Sequence, residues 1–260
     1  MDEVFAIEKE WLDEFVIKYQ KEIGLPFYVE YHPKLLNLEM LDKLVGAGLD
    51  EVDVGIQSGS DNVRNQIYNR PGTNTEIVNL ANEVSRRGIK IRYDLILNSP
   101  YDNEKELKDT LDLLFNLPKP LSFNLFSMQF FPNYPLTIQA INDGYIKPED
   151  ASKDTLLEKT MKNWAYRPKF FPFTKVQILK NIIWLVVWNH ANDKMVKQAV
   201  FSDKILSGFL LHYLNFKSIL FGKIFGIGRP QIISYSICAI AYIRNGEFKT
   251  LFSKIKGRYF

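Results

Sequence analysis

With 260 residues, 46% of them hydrophobic, the chain can bury a sizeable core, and its length suits one main domain plus an appendage better than two full domains. Its one cysteine, Cys238, sets aside an internal disulfide, suits a reducing compartment and reads as a buried apolar filler. The net charge of +3 conceals two unlike halves: residues 1–130 hold 14 Lys/Arg against 22 Asp/Glu, or −8, whereas residues 131–260 hold 19 against 8, or +11.

The acidic start, Met1-Asp2-Glu3-Val4-Phe5, lacks the basic flank and apolar run of a secretory signal, so a cytoplasmic protein is expected. Val4-Phe5-Ala6 reads as the tail of an earlier strand before a helix carrying Trp11, Phe15 and Tyr19, which places the beginning of that unit ahead of Met1. Pro26 to Tyr31 reads as a strand closed by His32-Pro33. Asn37 then caps a helix with Leu41, Leu44 and Val45 on one face, and Gly48 stops it. The pattern returns with a strand over 51–57, a short helix over 61–68 and a longer one over 74–87. In the longer helix Thr73 and Glu76 have capping-box spacing, and Ile77, Ala81 and Val84 form the buried stripe. A strand over 90–97, a helix over 103–116 with Leu107, Leu111, Leu114 and Phe115 on one side, and an apolar strand over 122–130 complete the series. Alternating strands and amphipathic helices predict an α/β fold with parallel strands.

Beyond Pro132 the strand rhythm stops and helices are expected, with a boundary near residue 150: a βα domain over 1–150 and a basic helical region over 151–260. The apolar tracts Leu179 to His190 and Ile205 to Ile227 carry many aromatics, and Lys217, Lys223 and Arg229 interrupt the apolar residues, as in a helix that lies on a membrane or packs on a partner. The bland alternative is that they cover the open side of the βα domain or pack on a domain outside the chain. A transmembrane helix is not expected, because the tract from Ile232 to Ile243 is broken by Ser234 and Ser236 and falls well short of the roughly 20 residues that a span requires.

In parallel βα architectures ligands sit at the carboxyl ends of the strands. That rule selects Glu30 and His32, Gln57 to Ser60, Asp94 to Asn98, and Gln129. Gly55 and Gly59 bracket a polar pair, where Gln57 can donate and accept hydrogen bonds and Ser58 or Ser60 can cap the next helix. The structural alternative is a plain strand end followed by an N-capped helix. Strand alternation puts Asp94, Ile96 and Asn98 on one face and Tyr93, Leu95 and Leu97 on the other. His32, His190 and His212 have no metal-ligand spacing, and no P-loop, GxGxxG or GxSxG occurs, so metal, nucleotidyl-transfer and hydrolase readings have little support.

The run Gly55-Ile56-Gln57-Ser58-Gly59-Ser60, then Ile67-Tyr68-Asn69-Arg70, then Tyr93-Asp94-Leu95-Ile96 with Pro100, resembles the middle and late strands of radical S-adenosylmethionine (radical SAM) enzymes, most of all the type that carries a cobalamin-binding domain. Pro33-Lys34-Leu35 before Met40 to Leu44, and Asp143-Gly144-Tyr145-Ile146, match the flanking segments, so the resemblance covers roughly residues 4–150. It implies a partial (βα) TIM-like barrel with an α-helical C-terminal extension. It also implies S-adenosylmethionine (SAM), a [4Fe–4S] cluster that generates a 5′-deoxyadenosyl radical, and cobalamin through a further domain. Carried over residue by residue, Gln57 and Ser58 lie near the nucleoside or methionine part of SAM, Arg70 near its carboxylate, and Asp94 and Asn98 along the strand that approaches adenine and ribose.

The chain departs from the family in lacking CxxxCxxC. The expectation is therefore a portion of a longer enzyme, inactive alone, with the cluster held by an N-terminal part. The expected substrate is a small or lipid-like molecule, the expected further contact is peripheral to a membrane, and nucleic acid is not expected. The alternatives are a tRNA methylthiotransferase-type enzyme and an inactive barrel serving as a binding module.

Overall fold

The computed structural model describes residues 8–34, 37–151, 165–202 and 205–225. These group into two compact units, the first drawn from Met1–Pro118 and Ser122–Tyr166, the second from Lys119–Leu121 and Arg167–Phe260. The earlier strand expected at Val4-Phe5-Ala6, the tract from Ile232 to Ile243 and Cys238 lie outside the described residues.

In the first unit the order is α1 (Lys9–Glu22), β1 (Phe27–Tyr31), α2 (Leu38–Ala47), β2 (Leu49–Gln57), α3 (Asn74–Arg86), β3 (Lys90–Leu97), α4 (Glu104–Asn116), β4 (Phe123–Ser127) and α5 (Pro135–Asn142). The strands pair in parallel in the order β1-β2-β3-β4, each crossover being made by a helix. Local chemistry sets the helix ends. Asn37 Oδ1 accepts from the Met40 N–H at 2.7 Å. Thr73 and Glu76 form a capping box, and Asn103 caps α4. Gly48, at φ 110°, ends α2 in the left-handed conformation and donates to the Leu44 and Val45 carbonyls. The helix expected over 61–68 condenses to a π-helical turn, Val63–Ile67, closed by Tyr68 N–H on the Val63 carbonyl at 3.0 Å.

Strand alternation divides the sheet into two unlike faces. Val52, Val54 and Ile56 of β2 and Tyr93, Leu95 and Leu97 of β3 are at most 1% exposed, and so are Leu41 and Leu44 of α2, Ile77, Ala81 and Val84 of α3, and Leu111 and Leu114 of α4. Each such aliphatic side chain contributes about 1.5–3 kcal/mol by leaving water. The opposite face carries Glu30, Asp53, Gly55, Arg92, Asp94 and Asn124, brought into rows by the register Glu30↔Asp53↔Arg92 and Gly55↔Asp94↔Asn124.

As expected of the C-terminal extension, the elements described in the second unit are helices: α6 (Lys175–Val187), α7 (Asp193–Phe201) and α8 (Ile205–Phe225). Thr174 and Asn192 cap the first two. The core of this unit is α6, in which Ile178 through Val187 are all buried. Among the described residues no helix is long and apolar enough to cross a membrane.

Candidate functional site

The carboxyl ends of β2 and β3 use the same device. β2 finishes on Gln57 at φ 65° and β3 is followed by Asn98 at φ 61°, a left-handed conformation common for asparagine and uncommon for glutamine. Each is followed by a buried serine whose Oγ accepts the N–H two residues on, Ser58 from Ser60 at 3.1 Å and Ser99 from Tyr101 at 3.3 Å. The β2–β3 pairing also shifts register between Gly55 and Gln57. The strand therefore turns at the point where Gln57 meets the edge.

The loop after Gln57 is fixed by buried polar contacts. Arg64, 3% exposed, donates from Nη1 to the Ser58 carbonyl at 2.5 Å and pairs through Nη2 with Asp61. Gly59 donates to Thr110 Oγ1 at 3.1 Å, and its carbonyl accepts from Asn74 Nδ2 at 2.8 Å. A Cβ on Gly59 would stand 2.3 Å from Thr110 Cα, so only glycine lets this loop lie against α4. The Ser60 hydroxyl donates to Glu106 and accepts from Val63 N–H at 3.3 Å, capping the π-helical turn. The Ser58 and Ser60 side chains thus serve the loop itself.

Gly55 has a different surrounding. A Cβ there would stand 2.8 Å from Gln57 Nε2 and 3.0 Å from Arg70 Nη2, so the missing side chain leaves room for an amide and a guanidinium to converge over the end of β2. One strand away, Asp94 Oδ1 accepts from Asn124 Nδ2 at 2.9 Å. Burial pushes the Asp94 carboxyl above the usual carboxylate range, against the Asn124 hydrogen bond and the charges of Arg92 and Arg70. Burial also lowers the pKa of His32, at the end of β1, and the Arg70 and Lys34 cations lower it further. Deeper on the same face Arg92 bridges Asp53 at 2.6 Å and Glu51 at 3.0 Å.

Of the residues selected from sequence, Gln57, Arg70 and Asp94 stand together around Gly55. Ser58 lies beneath them in the loop, and Asn98 occupies the end of β3, where its Nδ2 donates to Ser127 Oγ at 3.1 Å. Sequence reading passed over Asn124, Arg92 and Arg64. The alternation Glu51-Val52-Asp53-Val54 against Arg92-Tyr93-Asp94 carried the signal for a charged sheet face, whereas Asn124 required the β3–β4 register. Among the described residues no group of three or more His, Cys, Asp or Glu side chains could hold a metal ion.

Residues 7–114 match the family model of the Radical SAM superfamily. No curated protein matches the chain. Among solved structures, the cobalamin-dependent S-adenosylmethionine radical enzyme OxsB, with aqua-cobalamin bound, aligns at 16% identity over 95% of this chain and 45% of its own, with a TM-score of 0.52. The radical SAM methyltransferase TsrM from Kitasatospora setae, with cobalamin and a [4Fe–4S] cluster bound, aligns at 14% identity over 81% of this chain and 49% of its own, TM-score 0.48. Coproporphyrinogen III oxidase (HemN) from Escherichia coli aligns at 19% identity over 59% of this chain and 36% of its own, TM-score 0.45. The chain spans less than half the length of each. The fold is a partial (βα) barrel of the radical SAM type with a helical C-terminal extension.

Proposed function

We infer, from the Radical SAM superfamily match over residues 7–114, that the first unit provides SAM-facing strand ends of an enzyme performing radical or methyl-transfer chemistry. The observation that carries this reading is the space above Gly55, into which Gln57 Nε2 and Arg70 Nη2 both reach. Two donors, one of them cationic, suit the α-carboxylate of SAM, because a guanidinium pairs with a planar carboxylate in two parallel hydrogen bonds. Asp94, on the adjacent strand, offers a carboxylate to a ribose hydroxyl, while Ser58 and Asn98 shape the edge by holding the two strand-end turns.

The superfamily also implies a [4Fe–4S] cluster, and the residues of this chain do not fit one: a sequence with the single thiol Cys238 lacks the set of thiolates that such a cluster requires. In this reading the cluster ligands, and cobalamin if the reaction uses it, belong to a polypeptide segment outside this chain. The substrate would be a small or lipid-like molecule.

Equilibrium dialysis of SAM against the whole chain tests the proposal. Binding is expected, weakened by about tenfold or more in Arg70→Ala, since a hydrogen bond to a charged group contributes roughly 1.5–3 kcal/mol. Absence of measurable binding at millimolar SAM, or equal affinity in Arg70→Ala, would overturn it.

A further inference from the structure

The second unit exposes an apolar face that none of its described helices covers. Along α8, Leu206, Phe209, Tyr213, Phe216, Leu220 and Ile224 are 43–72% exposed, and their spacing of three or four residues places them in one stripe. The opposite side of the helix holds Leu214, Asn215 and Ser218, which are at most 3% exposed, so α8 is seated in its unit and still presents the stripe outward.

A second element widens this face. In the segment before α6, Phe170, Phe171 and Phe173 are 51–71% exposed, and Phe173 stacks on His212 of α8 with ring centroids 5.4 Å apart and planes 9° from parallel. Close approach is possible because Gly222 has no side chain: a Cβ there would stand 3.0 Å from Pro168 Cδ. Burying large apolar side chains is favourable, and contiguous exposed patches of this sort mark a contact surface.

Charge identifies what the surface meets. Among the described residues of this unit, nine Lys and Arg stand against one acidic residue, Asp193, which is already paired with Lys119 at 3.2 Å. Lys223 is exposed on α8 itself, three residues from Leu220 of the stripe, whereas Lys217 Nζ donates to the His190 carbonyl at 2.7 Å and sits 5.4 Å from the centroid of the Phe221 ring. A second copy meeting this face through its own equivalent face would bring the same positive charge to the contact. An anionic lipid surface supplies both an apolar phase for the stripe and negative headgroups for exposed cations such as Lys223. We propose that α8 and the Phe170 to Phe173 segment dock the protein on an anionic bilayer, with the stripe lying in the plane of the interface.

Co-sedimentation of the whole chain with phosphatidylglycerol–phosphatidylcholine vesicles at low salt, against phosphatidylcholine alone, tests this independently of SAM binding. Retention is expected on the anionic vesicles only. Removing one interfacial cation by Lys223→Gln should weaken it about fivefold. The triple variant L206S/F209S/F216S, shown by circular dichroism to remain helical, should weaken it by about tenfold or more. The substitution Phe209→Trp keeps the stripe intact, and the emission it adds to that of the wild type should shift to the blue with anionic vesicles. Four results would overturn the proposal: no retention, equal retention on neutral vesicles, no blue shift in the Phe209→Trp variant, or a wild-type dimer that the triple variant converts to a monomer. Retention on RNA but not on vesicles would assign the basic face to nucleic acid instead.

Discussion

Gly55 and Gly59 lie four positions apart in one motif, and their surroundings differ in kind. What a Cβ would meet at Gly59 is the backbone of α4, with Thr110 Cα at 2.3 Å and Thr110 N at 3.0 Å, and neither atom can rotate away. What it would meet at Gly55 is the far end of two flexible side chains, Gln57 and Arg70. Gly59→Ala should therefore cost about 1–3 kcal/mol or more, the usual range for overpacking a filled site. It would do so by prising the loop from α4 and breaking the Gly59 N–H bond to Thr110 Oγ1. Gly55→Ala should leave stability within about 0.5 kcal/mol of wild type while turning Arg70 and Gln57 out of the space they share. Denaturant midpoints of the two variants, measured beside their SAM affinities, separate these roles. A Gly55→Ala protein as unstable as Gly59→Ala would show that the gap above β2 is a packing requirement, and the assignment of Gln57 and Arg70 to a ligand would lose its support.

Helix α6 is apolar along most of its length, and the one asparagine within it organises the second unit. Asn181 is fully buried and donates from Nδ2 to the Lys169 carbonyl and to Asn215 Oδ1, both at 2.7 Å. Its Oδ1 accepts from Lys169 N–H at 3.0 Å and from Gln177 Nε2 at 2.9 Å. It ties α6 to the segment before it and to α8. Asn181→Ala leaves several of these groups buried without a partner, and a loss of about 3 kcal/mol is expected, read as an earlier unfolding transition in tryptophan fluorescence, to which Trp184 and Trp188 of this helix contribute. An unchanged transition would mean that water replaces the amide. Interactions of this type explain what the sequence hid. Caps such as Asn37 and Thr73 with Glu76 were legible because each joins residues three apart. The strands of the first unit were legible for the same reason, through alternation along each. Asn181 with Asn215, Arg92 with Asp53 and Gly59 with Thr110 join residues 34, 39 and 51 apart, and no local pattern reports such pairs. The π-helical turn escaped for a further reason: a pattern of apolar spacing does not distinguish a wide turn from a short α-helix, and the buried Arg64 within it reads as a surface residue.

The acidic barrel unit and the basic helical unit share one sequence and make different demands on what lies around them. The first has the fold of enzymes whose chemistry needs a thiolate-bound cluster, yet the whole sequence holds one thiol. Histidine replaces thiolate on one iron of some [2Fe–2S] centres, and the three histidines here stand in separate surroundings. His212 stacks on Phe173, His190 packs edge-on against Phe221 with centroids 4.8 Å apart, and His32 Nδ1 accepts from the Lys34 N–H at 3.3 Å. Anaerobic incubation of the whole chain with ferrous iron, sulfide and reductant is therefore expected to leave far less than one cluster per chain, and Cys238→Ser should not change the iron retained. Stoichiometric iron and sulfide with the visible absorbance of a [4Fe–4S] centre would contradict this, and its loss in Cys238→Ser would assign a ligand that no spacing in the sequence suggests. SAM binding without cluster assembly is the combination that the proposed function expects, with donors from Gln57 and Arg70 around Gly55 and a single thiol in the sequence.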